Sequence, residues 1–259
     1  MDRAEVHTKR NESKSSKGEV LAKARSFRKS FGGVEVLKDV NFDLYKGENM
    51  VVLGKSGTGK SVLIKSMVGL HRPDGGELNV LGYDLGRINE EELVELRRKV
   101  GYLFQGGALY DSMTVRENMR FPLERQLEPK PEDEMEALVV EGLESVGLKD
   151  SINKMPSELS GGMKKRIALA RTLILRPEIM LYDEPTTGLD PVTSKEISQL
   201  LLDMRDRYNI TSVIVTHDMA SAEMTADNVF IIRDKTLGVQ GSFQELANSE
   251  DEWIRAFFQ

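Results

Sequence analysis

Residues 54–61 read Gly-Lys-Ser-Gly-Thr-Gly-Lys-Ser, a glycine-rich loop closed by a lysine and a hydroxyl. Glycines at this density let successive backbone N–H groups turn toward one anion, and a helix opening directly after them aims its positive end at the same place. The pattern predicts a phosphate cradle made by Gly54, Lys55, Ser56, Gly57, Thr58 and Gly59. Lys60 then reaches the β and γ phosphates of a nucleotide, and the Ser61 hydroxyl ligates Mg²⁺. Far downstream, Asp183 and Glu184 close the apolar run Ile179 to Tyr182. Asp183 is placed to hold Mg²⁺, directly or through water, and Glu184 to orient and deprotonate an attacking water.

Two further polar residues end apolar runs. His217 follows 211–215 and serves either catalysis or a structural hydrogen bond. Gln105 follows Val100-Gly101-Tyr102-Leu103-Phe104 and is either a turn residue or a Mg²⁺ ligand that also begins a helical segment. A second glycine-rich, helix-opening segment lies between the loop and the carboxylates, Leu159-Ser160-Gly161-Gly162. Its free N–H groups and helix dipole form another anion site, although a capping serine followed by glycines also begins many ordinary helices. Lys164, Lys165 and Arg166 read as a solvated face of the helix that follows.

These residues need a scaffold that gathers them. Met50 to Leu53, Ile179 to Tyr182 and Ser212 to Val215 are short runs rich in Val, Ile and Leu, as expected of strands covered on both faces. Helical patterns at 61–69, 163–175 and 194–208 alternate with them, which predicts a mostly parallel sheet with helices on its faces. Ligands of such sheets sit at the carboxyl ends of the strands, where the polar clusters fall. Glu19 to Leu44, with short alternating segments around Gly32-Gly33, reads as antiparallel sheet. Gln105 to Ser157 has little strand character, a Pro-Lys-Pro-Glu break at 129–132 and an amphipathic stretch from Glu134 to Leu143, and reads as a helical insert. Tyr110, Met113, Met119 and Phe121 within it suit internal packing or a groove for a partner's helix. Trp253 with Phe257, and Ile254 with Phe258, have the spacing of one helical face, suited to packing on their own domain.

The chain has 259 residues, 39% hydrophobic and 30% charged, enough for a sizeable core. Residues 1–17 mix Lys, Arg, Glu and Ser with almost no large apolar side chain and are expected to form a mobile tail. No apolar run approaches the roughly 20 residues of a membrane span, and the N-terminus lacks the apolar centre of a signal peptide, so a cytosolic location is expected. There is no cysteine, which removes disulfides, zinc–thiolate sites and thiol catalysis. The net charge of -6 is the wrong sign for holding a polyanion, and no nucleic-acid partner is expected.

Taken in order, Phe31, the phosphate loop, Gln105, Leu159-Ser160-Gly161-Gly162, 181–185 (Leu-Tyr-Asp-Glu-Pro), Gly188-Leu189-Asp190 and His217 resemble the nucleotide-binding subunit of ATP-binding cassette (ABC) transporters over nearly the whole chain after the tail. The resemblance implies a P-loop NTPase of the α/β class. It has a RecA-like parallel-sheet core, an N-terminal antiparallel β subdomain and a helical subdomain inserted at about 105–160, within an ATPase domain spanning 19–259. It implies ATP and Mg²⁺ as cofactors and Phe31 stacked on adenine. Two subunits sandwich two ATP molecules head to tail, each γ phosphate held by one subunit's loop and the other's Ser160 and Gly162. Asp190 links the two sites and His217 contacts the γ phosphate. Two positions depart from the usual pattern: Met163 where most members have Gln, and Phe31 where Tyr is common. Met163 after the signature, with 103–115 and Phe121-Pro122-Leu123, is similar to the ATPases of Mla/MCE phospholipid transport. That similarity implies a membrane permease, an MCE-domain partner and a place on the cytoplasmic face of the inner membrane. Another cargo such as amino acids or lipoproteins stays open, because partner subunits select it; action on DNA or ribosomes fits less well.

Overall fold

The structure, a computed structural model, describes residues 18–126 and 128–258; the expected tail, residues 1–17, lies outside them. The chain opens with two long strands, β1 (Val20–Phe31) and β2 (Val34–Tyr45), paired antiparallel. They are joined at Gly32 and Gly33, whose φ values of 56° and 79° supply the left-handed pair that a two-residue hairpin turn needs. With β4 (Gly75–Val80) and β5 (Tyr83–Asp84) they form a four-stranded sheet in the order β2-β1-β4-β5. The sequence pattern suggested short segments here; the strands are 12 residues each, interrupted by register shifts that let long strands twist.

The second sheet carries the chemistry. Its six strands run β10-β9-β3-β8-β7-β6: β3 (Asn49–Leu53), β6 (Val100–Leu103), β7 (Ile179–Asp183), β8 (Thr211–Thr216), β9 (Asn228–Arg233) and β10 (Thr236–Gly241). All neighbours are parallel except the edge pair β9 and β10. Every residue of β3, β7 and β8 is buried, so these strands read as continuous apolar runs rather than alternating ones. The pleat divides them between two cores. Val52 and Val213 face one cluster with Phe27, Leu37, Ile64 and Leu96, which joins the two sheets. Leu53 and Ile214 face the other with Leu169, Leu201 and Ile254.

The helices are α1 (Lys60–Met67), α2 (Glu90–Lys99), α3 (Val115–Glu124), α4 (Glu132–Ser145), α5 (Gly161–Leu173), α6 (Pro191–Tyr208), α7 (Met219–Thr225), α8 (Phe243–Ala247) and α9 (Glu252–Phe257). Helices α3 and α4 build a third core around Val115, Met119, Val139 and Leu143, closed from outside the insert by Ile167, Ala170 and Ile174. Helix α5 therefore belongs to two cores, since Leu169 and Leu173 face the sheet. Of the four residues considered for a partner groove, Met119 is fully buried in this third core. Tyr110 and Phe121 remain near the surface with ring centroids 4.7 Å apart. At the C-terminus, Ile254 is buried, Trp253 and Phe257 lie against the same cluster, and Phe258 packs edge-on to Phe243. No helix among the described residues is long and apolar enough to cross a membrane.

Candidate functional site

The loops that leave the carboxyl ends of β3, β7 and β8 meet at one cleft of about 640 Å³. The phosphate loop supplies one wall. Gly59, with φ 102°, is the residue from which α1 springs, and a Cβ there would meet Leu37 Cδ2 at 2.9 Å, so both conformation and space demand glycine. No side chain caps α1, which leaves its first-turn N–H groups to an anion. Lys60 is buried and folds back over the loop. Its Nζ donates to Gly54 O at 2.8 Å and Lys55 O at 3.2 Å and lies 3.3 Å from Glu184 Oε1.

Ser61 Oγ donates to Asp183 Oδ1 at 2.7 Å, and the Tyr102 hydroxyl donates to Asp183 Oδ2 at 2.8 Å. Burial pushes the Tyr102 phenol well above its ordinary range, and the Asp183 charge and hydrogen bond push the same way, so Tyr102 stays protonated as a donor. Ser61, Asp183 and Gln105, the last exposed along the cleft, make a hydroxyl, carboxylate and amide oxygen set, the hard donors that Mg²⁺ selects. No group of three or more His, Cys, Asp or Glu among the described residues could hold a metal. An ion here would draw its remaining ligands from phosphate and water.

Glu184 is the most constrained residue of the site. It is buried, with φ 51° in the left-handed region. Its Oε2 accepts from Thr187 Oγ1 at 3.1 Å and lies 2.8 Å from His217 Nδ1. A carboxylate beside Nδ1 favours the proton there, which leaves Nε2 for another partner. Lys165 Nζ donates to the Glu184 carbonyl at 3.3 Å. Lys165 is thus not part of a solvated face: α5 turns this side chain inward, and it is only 8% exposed. Burial lowers the Lys165 ammonium from its ordinary range, and the Glu184 charge opposes that shift.

Lys60, Ser61, Gln105, Glu184 and His217 line the cleft together, with Lys55, Ser56, Gly57 and Gly59. Gly54, Thr58 and Asp183 adjoin the cleft without lining it: Thr58 Oγ1 donates to Lys55 O at 2.8 Å, and a Cβ on Gly54 would meet Thr58 Oγ1 at 2.6 Å. Phe31 is not among the lining residues. It is 43% exposed at the end of β1, its ring edge-on to His71 at 5.0 Å and 5.2 Å from Lys29 Nζ. Nor does the signature line this cleft. Ser160 caps α5, its Oγ accepting from Met163 N at 3.2 Å, and a Cβ on the buried Gly162 would meet Thr193 Cγ2 at 2.7 Å. Asp190 caps α6 through the N–H groups of Val192 and Thr193. A cavity of similar size, about 650 Å³, lies among Leu123, Leu138, Ile174 and Arg176, and gathers none of these groups. Sequence reasoning missed Tyr102, Thr187 and the inward turn of Lys165. A tyrosine inside an apolar strand three residues before Gln105 was the one available signal.

The family model described as ABC transporter matches residues 37–187. The chain is 42% identical over 238 residues to the probable ribonucleotide transport ATP-binding protein mkl of Mycobacterium leprae, covering 92% of this chain and 68% of that one. It is 37% identical over 224 residues to the intermembrane phospholipid transport system ATP-binding protein MlaF of Haemophilus influenzae, covering 86% and 84%. Among solved structures, the dimeric post-hydrolysis state of the ATP-binding cassette MJ0796 bound to ADP and Pi superposes with a TM-score of 0.78 at 30% identity, over 86% of this chain and 98% of that one.

Proposed function

The chain belongs to the ABC transporters as one of their ATPase domains, and from that premise we propose that it powers phospholipid transport through a separate membrane permease with an MCE-type partner. Members of this family hydrolyse ATP to drive transport and work as dimers with membrane permeases. The observation that carries the ATPase reading is the convergence of Lys60, Ser61, Glu184 and His217 on one cleft, with Asp183 bonded to Ser61.

In this reading the N–H groups of 54–59 and of the first turn of α1 cradle the phosphates, and Lys60 turns from the loop carbonyls to the β and γ phosphates. Ser61, Asp183 and Gln105 would hold Mg²⁺, which when bound would supply positive charge against the phosphate oxygens. Glu184 orients the attacking water and takes its proton, while His217, fixed through Nδ1, presents Nε2 to the γ phosphate. Phe31 stacks on adenine. Ser160 and Gly162, which do not line their own chain's cleft, serve the ATP of a second subunit, and Asp190 at the start of α6 stands between the two sites. The dimeric cassette that this chain resembles supports that arrangement.

Phe104, Tyr110, Phe121 and Pro122 line a groove of about 320 Å³ with Arg97 and Arg171, the surface best suited to a permease segment. The lipid assignment rests on Met163, on the 103–115 stretch and on the MlaF relative. The mkl relative, described for ribonucleotide transport, favours a different cargo on the same engine. Replacing Glu184 with Gln is expected to lower ATP turnover by about a hundred- to ten-thousand-fold and to trap an ATP-bound dimer; undiminished turnover sinks the assignment. Purifying the protein with its membrane partners and identifying the bound small molecule by mass spectrometry tests the cargo. Phospholipid is expected, and a bound nucleotide or amino acid would transfer the assignment to that class.

A further inference from the structure

Glu184 holds a backbone conformation that non-glycine residues rarely adopt, and its peptide is gripped from both sides. Its N–H donates to Val215 O at 2.9 Å. Its carbonyl accepts from Thr187 N at 3.3 Å and from Lys165 Nζ at 3.3 Å. The first two bonds come from the neighbouring strand and the residue's own turn. The third comes from a different part of the fold, helix α5, five residues after Ser160. A buried ammonium is costly to desolvate and is retained where it has an anionic or strongly polar partner; here that partner is the carbonyl of the proposed base.

We propose that Lys165 is a positioning residue for Glu184. Its ammonium pins the left-handed backbone that aims the carboxylate at Lys60, Thr187 and His217, and it ties the helix that begins at the signature to the base of the same chain. This rests on the reading of Glu184 as general base. The link makes a structural demand on α5: a shift of its N-terminal turn carries the Lys165 anchor with it, and the Glu184 carbonyl follows.

The test is steady-state ATPase kinetics of the full chain with Mg-ATP, alongside nucleotide affinity by fluorescence titration. Lys165→Met is expected to lower kcat by about ten- to a hundred-fold, the size that a displaced catalytic group costs, with KM and nucleotide affinity unchanged within about twofold. Lys165→Arg, which keeps a buried donor, is expected to retain kcat within about threefold. In a Glu184→Gln background Lys165→Met is expected to add less than about twofold, because groups that act as one unit are not additive. A merely structural lysine would instead lower affinity and stability and leave its effect additive. Wild-type kcat in Lys165→Met overturns the proposal. If that variant does not fold, a loss in folded Lys165→Arg well beyond threefold at unchanged affinity overturns it, and retention supports it. The two readings separate cleanly: wild-type turnover in Glu184→Gln removes the base and Lys165 with it, whereas a dead Glu184→Gln beside a fully active Lys165→Met removes only the role of Lys165.

Discussion

Asp183 shows how little a side chain's sequence neighbours reveal of its work. The residue is buried, and each carboxylate oxygen receives one hydroxyl, from Ser61 on α1 and from Tyr102 on β6. Tyr102→Phe leaves Oδ2 without its donor, and an unsatisfied buried acceptor of this kind costs about 1–3 kcal/mol. The expected outcome is a Tm lowered by at least about 2 °C in a thermal melt, with the phosphate loop intact and ATP still bound. An unchanged Tm would mean that the hydroxyl adds nothing. Gly76 is constrained by space rather than by chemistry. Its φ is 72°, and a Cβ would come within 2.0 Å of the Ser26 carbonyl oxygen. Gly76→Ala is therefore expected to destabilise by about 2 kcal/mol or more, read from urea unfolding.

At the scale of elements, α5 is the connecting piece. Beside Lys165 it carries Arg171, whose guanidinium donates to Gly107 O at 3.1 Å, Ala108 O at 2.9 Å and Asn118 Oδ1 at 3.3 Å. Gly107 and Ala108, two and three residues after Gln105, both have left-handed backbones, with φ 75° and 50°. Arg171→Met should release that segment; hydrogen exchange over 106–114 is expected to speed up by about tenfold or more, since losing one such bond costs on the order of 1.4 kcal/mol. Unchanged exchange would show that Asn118 alone holds it. Helix starts contribute to the acid sensitivity of the fold. Hydrogen bonds to Thr193 hold the Asp190 carboxyl below its ordinary 3.8, and bonds to Thr114 and Ser242 hold Glu117 and Glu245 below 4.5. Groups depressed in the folded state stabilise it fully above those ordinary values and lose the contribution as pH falls through the lowered ones. Urea midpoints should therefore be flat with respect to these groups above about pH 5 and decline below about pH 4. Asp190→Ala should make that decline shallower.

For the molecule as a whole, the two cores on either face of the six-stranded sheet mean that distant chain segments stand or fall together. Helix α9 closes one of them with Ile254, Trp253 and Phe257, and Arg233 lies over the Trp253 ring at 4.5 Å. Deleting 252–259 is expected to cost about 2–5 kcal/mol, as for loss of a large core side chain. ATP-dependent dimerisation of the Glu184→Gln protein is expected to survive the deletion, because the proposed dimer contacts lie at Ser160, Gly162 and Asp190. Size-exclusion chromatography reads the second outcome, and a monomer there would place the C-terminal helix at the interface.

Local order along the chain was enough to identify the phosphate loop, the strand-end carboxylates, the buried strands and the ABC family. Each of those signals is short-range: a glycine spacing, a continuous apolar run, a fixed succession of motifs. The chain could not tell that Lys165 turns inward while Arg166 pairs with Glu196 near the surface. Neither could it tell that Met119 fills a core while Phe121 lines a groove. Nor could it tell that Asp183 is shared by Ser61 and Tyr102. Adjacent residues of similar polarity are separated only by the direction in which a packed helix or strand points them. That direction is set by the neighbours that tertiary structure brings against the element, which is why the chemistry was legible in one dimension and its bracing only in three.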